Sequence, residues 1–137
     1  MFVDSGGWLS IVIRTDRYHA EGSVYYRRLL DERTELITSD YVLDEVITRL
    51  RYDVGHEAAK RFIQLVEKAI EGGVLRLVYV DESIWYEAVQ VFLQYADVRL
   101  SFTDCTSFAI LQRLGVMEVF GYDAHFGLVG AMLQPVV

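Results

Sequence analysis

An α/β fold, a three-layer α/β/α domain around a central, mostly parallel sheet, is predicted by three features of the sequence. Short apolar segments alternate with amphipathic helical segments along the chain, and that order builds βαβ units. Carboxylates stand directly behind two of the apolar segments, where sheets of this kind hold their ligands. The 137 residues are 53% hydrophobic and 24% charged. That composition is too apolar for a disordered chain and sufficient for one buried core, here read as a single domain over residues 1–137.

Each element has a local reason. Phe2-Val3 opens a short strand that stops at Asp4-Ser5-Gly6-Gly7, and a short helix then carries Trp8, Leu9, Ile11 and Val12. Residues 20–33 read as a second helix, offering Val24, Tyr25, Leu29 and Leu30 to the core. Leu36-Ile37-Thr38 is a strand. Ser39 is a good N-cap for the helix that follows, where Val42, Leu43, Val46, Ile47 and Leu50 recur at helical spacing. A further amphipathic helix over residues 56–71 ends at Gly72-Gly73. Residues 75–80 are strand-like, and Ser83 is expected to cap a helix running to about Tyr95. Ser101 or Thr103 caps the next helix, which ends at Gly115. Val116 to Tyr122 reads as a strand, residues 124–130 as a turn or short helix, and Pro135-Val136-Val137 as an edge strand.

Composition excludes several classes. The single cysteine, Cys105, leaves no intrachain disulfide and no cysteine zinc cluster. No apolar run approaches the roughly 20 residues that span a bilayer, and Met1-Phe2-Val3-Asp4 does not begin like a signal peptide. The expectation is a cytoplasmic protein without membrane contact. The net charge of -7, from 13 basic and 20 acidic residues, argues against nonspecific coating of nucleic acid. Residues 1–76 hold 11 basic and 13 acidic groups, a net of -2; residues 77–137 hold 2 and 7, a net of -5. A basic partner or a bound cation suits such a surface.

Four carboxylates draw attention. Asp4 and Asp123 follow apolar strands directly, Asp104 lies in the first turn of the helix opened by Ser101, and Glu45 lies two turns into the helix after Ser39. Singly, each has a local explanation as a turn residue, a capping-box partner or a solvated helix charge. Together in one cleft they would repel and raise one another's pKa unless a cation joined them. Oxygen ligands without a histidine or thiolate cluster suit Mg²⁺ or Mn²⁺. Such ions activate water and stabilise a transferring phosphoryl group, so phosphodiester hydrolysis is the natural chemistry.

Four segments, Asp4-Ser5 after its strand, Thr38-Ser39-Asp40-Tyr41-Val42-Leu43-Asp44-Glu45, Ser101-Phe102-Thr103-Asp104 and Gly121-Tyr122-Asp123-Ala124-His125-Phe126, resemble in order and spacing the successive motifs of the PIN-domain nucleases. A domain of this length resembles the VapC-type toxins of prokaryotic toxin–antitoxin pairs. The resemblance implies a magnesium- or manganese-dependent endoribonuclease, dimeric, acting on RNA and inhibited by a small antitoxin. It assigns metal ligation to Asp4, Asp104 and Asp123 and makes Glu45 the residue that positions or deprotonates the attacking water. Ser5 and Thr103 would orient these carboxylates. The pattern departs at Gly121, where the family carries a hydroxyl, and at His125, where another acidic or polar residue is usual. Acidity further suggests an antitoxin with a basic segment.

Other residues carry weaker signals. Cys105, at the start of an apolar helix, reads as buried and inert, and a nucleophilic role with His125 as base is the lesser reading. His19 and His56 read as surface residues. Tyr25-Tyr26-Arg27-Arg28 and Arg49-Leu50-Arg51-Tyr52 mix aromatic and basic groups that could bind RNA, with Arg49, four residues beyond Glu45 on the same helix, the first candidate. Trp8 and the early helices suit core packing, a dimer contact or a groove for an antitoxin. A non-toxin RNA-processing nuclease and a catalytically silent binding module with the same fold remain as alternatives. A phosphoacceptor receiver domain does not, because its lysine would follow a late strand and both lysines here, Lys60 and Lys68, share one helix.

Overall fold

The structure is a computed structural model and describes residues 1–136. Its strands are β1 (Phe2–Val3), β2 (Leu36–Ser39), β3 (Leu75–Val78), β4 (Glu118–Phe120) and β5 (Met132–Gln134). Its helices are α1 (Ser5–Val12), α2 (His19–Asp31), α3 (Asp40–Asp53), α4 (His56–Glu71), α5 (Glu82–Gln94) and α6 (Phe102–Leu114), and a 3-10 helix spans Ala124–Val129. The strands form one sheet in the order β3-β2-β1-β4-β5, with every pairing parallel. Phe2 and Val3 pair with Val119 and Phe120 on one side, and Phe2 pairs with Ile37 on the other. The chain winds outward from β1 to β3, then returns through α5 and α6 to β4. Right-handed crossovers place the helices of these two journeys on opposite faces of the sheet, the predicted α/β/α architecture. The winding reverses between β1 and β4, so a crevice opens at their carboxyl ends.

Local chemistry explains most boundaries. The Ser39 hydroxyl accepts the Val42 amide at 3.1 Å and starts α3. Ser101 and Asp104 form a reciprocal capping box at the start of α6, which ends at Gly115 in the left-handed region, φ 66°. In the core, Trp8, Phe2, Val42, Phe62, Phe108 and Phe120 are fully buried. The Trp8 indole donates to the Thr38 hydroxyl at 3.2 Å, and Thr38 donates to the Val3 carbonyl at 2.9 Å, so the one buried indole N–H is satisfied.

Several boundaries differ from those the sequence suggested. The α1 helix begins at Ser5 and contains Gly6 and Gly7. A Cβ on Gly7 would lie 2.4 Å from the Phe120 carbonyl oxygen, so glycine is there for close approach to β4 and not to break the helix. Asp81, not Ser83, caps α5, accepting the Ile84 amide at 2.9 Å. Strands β3 and β4 are shorter than predicted. The edge strand is Met132–Gln134 and not Pro135-Val136-Val137, since Pro135 has no amide to continue the ladder; Val137 lies outside the described residues. Val24 and Leu30 are exposed instead of buried. His19 is half-buried, with Nδ1 2.8 Å from the Ser10 carbonyl. Tyr25 and Tyr26 pack edge-on against Phe120 and Trp8. Among the described residues no helix is long and apolar enough to cross a membrane.

Candidate active site

At the carboxyl ends of β1 and β4 lies an open cleft of about 350 Å³. Asp4, Glu45, Asp104 and Asp123 all line it, with Ser5 and Arg49. Four separate elements deliver the carboxylates. Asp4 is the N-cap of α1 directly after β1, and its amide donates to the Phe120 carbonyl at 3.0 Å, tying it to the end of β4. Asp123 caps the 3-10 helix, its Oδ1 accepting the His125 amide at 2.9 Å. Asp104 is held in the first turn of α6, where its Oδ2 accepts the Ser101 amide at 3.2 Å. Glu45 projects from the second turn of α3.

The electrostatics are unfavourable for carboxylates alone. Asp4 is 4% exposed, and burial pushes its carboxyl up to about 7, outweighing the opposing bond from the Ser5 amide, while Asp104, Glu45 and Asp123 each add a weaker repulsion. Its Oδ1 is buried without a hydrogen-bond partner. Burial, and then the nearby Asp123 and Glu45, also raise Asp104 against the bond from Ser101. Ligand atoms of Asp104, Asp123 and His125 lie within 4.8 Å of one another. A buried orphan oxygen beside a cluster of mostly oxygen donors fits a hard divalent cation.

Other predicted residues have mixed placements. Ser5 lines the cleft. Thr103 is not part of the lining, and its carbonyl instead accepts the Thr106 hydroxyl at 2.6 Å; the amide that holds the Asp104 carboxylate belongs to Ser101. Gly121 stands against the Asp4 side chain, where an added Cβ would lie 3.1 Å from the Asp4 Cβ and 3.6 Å from its Oδ2, so a hydroxyl-bearing side chain here would crowd the buried carboxylate. Cys105 is fully buried and its thiol is pushed up by burial and by Asp104, the inert reading.

Sequence reading passed over Arg99 and Tyr122, both of which line the cleft, and gave His125 no role of its own there. His125 Nδ1 lies 3.1 Å from Asp123 Oδ1, a pairing that its i+2 spacing allows. Tyr122 stacks on Tyr18 with ring centroids 4.0 Å apart and planes 6° from parallel, forming the wall beside Asp123.

The all-parallel sheet thus presents four carboxylates at its switch point. The family model of the PIN domain matches residues 1–131, and the chain belongs to that family. It is similar to the 23S rRNA-specific endonuclease VapC20 of Mycobacterium tuberculosis, 27% identical over 132 residues that cover 95% of this chain and 94% of that protein. It is also similar to a VapC ribonuclease of Archaeoglobus fulgidus, 25% identical over 128 residues, 92% of this chain and 78% of that one. The crystal structure of M. tuberculosis VapC20, titled a sarcin–ricin loop cleaving toxin, matches with a TM-score of 0.80 and 26% identity, covering 96% of this chain and 95% of that one.

Proposed function

We propose that this protein is a metal-dependent endoribonuclease of the VapC type, the toxin of a toxin–antitoxin pair, which hydrolyses RNA phosphodiester bonds with Mg²⁺ or Mn²⁺. The observation that carries the reading is the convergence of four carboxylates on one cleft around the buried, unpartnered Asp4 oxygen. The similarity to proteins named VapC ribonucleases supports RNA as substrate.

In this reading Asp4, Asp104 and Asp123 hold the ion, and His125 stands close enough to add a nitrogen donor. A bound divalent cation supplies a water of lowered pKa and neutralises charge developing on the phosphorus oxygens. Glu45, on the α3 side of the cleft, orients the attacking water and accepts its proton. The Ser101 amide keeps Asp104 aimed into the cleft through the capping box. The tie between Asp4 and Phe120 holds the first carboxylate beside the end of β4, the strand that leads to Asp123. Cys105 is buried and does not act as a nucleophile, and the proposed attack is by water directly on phosphorus, without a covalent enzyme intermediate.

Two partners follow. The charge of -7 suits a small antitoxin whose inhibitory segment is basic. Helix α5 buries Ile84, Ala88 and Val91 on one side yet leaves Trp85, Tyr86, Phe92 and Leu93 exposed on the other. A helix apolar on two faces suits a second copy of the chain, a homodimer.

The test is cleavage of a mixed panel of structured and single-stranded RNAs with Mn²⁺, Mg²⁺ or EDTA, together with Mn²⁺ calorimetry. Metal-dependent fragments that vanish in Asp104→Asn are expected. An Asp104→Asn protein as active as its parent would refute the site. A parent that binds no Mn²⁺ would refute the metal-dependent reading and leave a silent PIN-fold binding module.

A further inference from the structure

We propose that Arg99 is a substrate-binding residue, which with Arg49 forms a two-sided clamp on RNA backbone phosphates across the acidic cleft. The inference rests on the ribonuclease reading and specifies how the cleft holds its polyanion. A floor of four carboxylates repels RNA, so affinity for the backbone must come from cations on the walls.

Residues 77–137 contain two basic side chains, Arg99 and Arg113. Arg113 is committed elsewhere: it is paired with Glu87, lies 4.0 Å from Asp81 and donates to the Ser83 hydroxyl. Arg99 has no ion pair among the described residues, and it lines the cleft. The one uncommitted cation of the acidic half thus stands beside the proposed chemistry. Arg49 likewise has no ion pair among the described residues and lines the same cleft from α3.

The backbone under Arg99 is anchored. Leu100 is buried, its amide donates to the Val98 carbonyl at 2.9 Å, and the Val98 amide donates to the Tyr95 carbonyl at 3.1 Å. Two residues on, Ser101 caps α6, so the guanidinium extends from a fixed point next to a helix N-terminus, whose partial positive charge adds to its own. An exposed arginine keeps five donors available, and its planar fork matches two phosphate oxygens. Such contacts carry no base information, so they raise affinity evenly across sequences.

The experiment measures binding by fluorescence anisotropy in the presence of Mn²⁺, in an Asp4→Asn background that prevents cleavage. The probes are a labelled sarcin–ricin loop hairpin and a single-stranded RNA of equal length. Arg99→Ala should weaken both about tenfold and lower the slope of log affinity against log salt by about one contact's worth, roughly 0.7 to 0.9. Arg99→Lys should recover part of the loss. Calorimetry on the Arg99→Ala single variant should give Mn²⁺ affinity equal to the parent's. RNA affinity and salt slope unchanged within twofold would overturn the clamp, as would a loss confined to one RNA or a fall in Mn²⁺ affinity. If the Asp4→Asn background binds neither probe, RNA binding is measured in the otherwise unaltered protein with Ca²⁺ replacing Mn²⁺. No binding there removes the ribonuclease reading itself and the clamp with it.

Discussion

Asp4 concentrates the conflict between folding and function in one side chain. Its folded pKa of about 7 lies far above the ordinary value of 3.8, so between those values the folded state binds more protons than the unfolded chain. Stability of the metal-free protein therefore falls as pH rises through about 4 to 7, and the loss is complete above 7. Three pH units correspond to on the order of 4 kcal/mol as an upper limit. Asp4→Asn removes the charge and leaves the shape, so thermal unfolding in EDTA should show a higher Tm than the parent at pH 8 and a flatter profile from pH 5 to 8. Mn²⁺ at pH 8 should stabilise the parent and not the variant. A variant less stable than its parent at pH 8 would show that the isolated carboxylate is not the source of strain. All four acidic residues were legible in the sequence because their signals are local: two follow strands, one sits in a capping turn and one lies two turns past a cap. Arg99 was not, because its significance depends on what surrounds it. Only the pairing of Arg113 with Glu87 and Asp81 makes Arg99 the free cation of its half.

At the scale of elements, helices were easier to read than strands. Caps and C-terminal glycines mark helix ends in the sequence itself, as Ser39, Ser101, Gly72 and Gly115 do. The strands have two to four residues, too short for a period-two pattern to set their limits, and their ends are decided by pairing with neighbours. The start of α5 turned on a choice between two good caps; Asp81 takes it while the Ser83 hydroxyl accepts a bond from Arg113. The Gly6-Gly7 pair looked like a break because the packing that requires it is distant in sequence. Gly7→Ala tests that packing. Its methyl would meet the Phe120 carbonyl at 2.4 Å, backbone that moves only with β4 and hence with Asp123. Overpacking of this kind costs about 1–3 kcal/mol. Urea unfolding should register a loss in that range, and RNA cleavage should fall although no carboxylate is altered. Retention of parental stability and cleavage would mean that α1 can shift on β4 without disturbing the cleft.

For the whole molecule, the fold class followed from element order, whereas the proposed dimer surface did not. Helix α5 reads in sequence as one amphipathic helix among several. Only the structure shows that Ile84, Ala88 and Val91 already face the core, so that Trp85, Tyr86, Phe92 and Leu93 form a second apolar face. Phe102, in the first turn of α6, meets Trp85 at 4.7 Å between ring centroids and stands two residues from Asp104, so this face runs up to the turn that holds Asp104. A symmetric dimer through α5 places each exposed side chain near its own symmetry mate, and a glutamate there would face another glutamate in an apolar setting. Leu93 is 69% exposed in the single chain, so Leu93→Glu costs the monomer fold little, within about 0.5 kcal/mol. Light scattering coupled to gel filtration should therefore give twice the chain mass, 15.8 kDa, for the parent and a single chain mass for the variant. Circular dichroism should be the same for both. Equal masses for the two proteins would refute this interface, whether both prove monomeric or both dimeric. If the variant is monomeric, its RNA cleavage becomes informative about Phe102. Loss of activity in a folded monomer would mean that the partner copy steadies the turn holding Asp104, and retained activity would mean that each cleft is complete on its own.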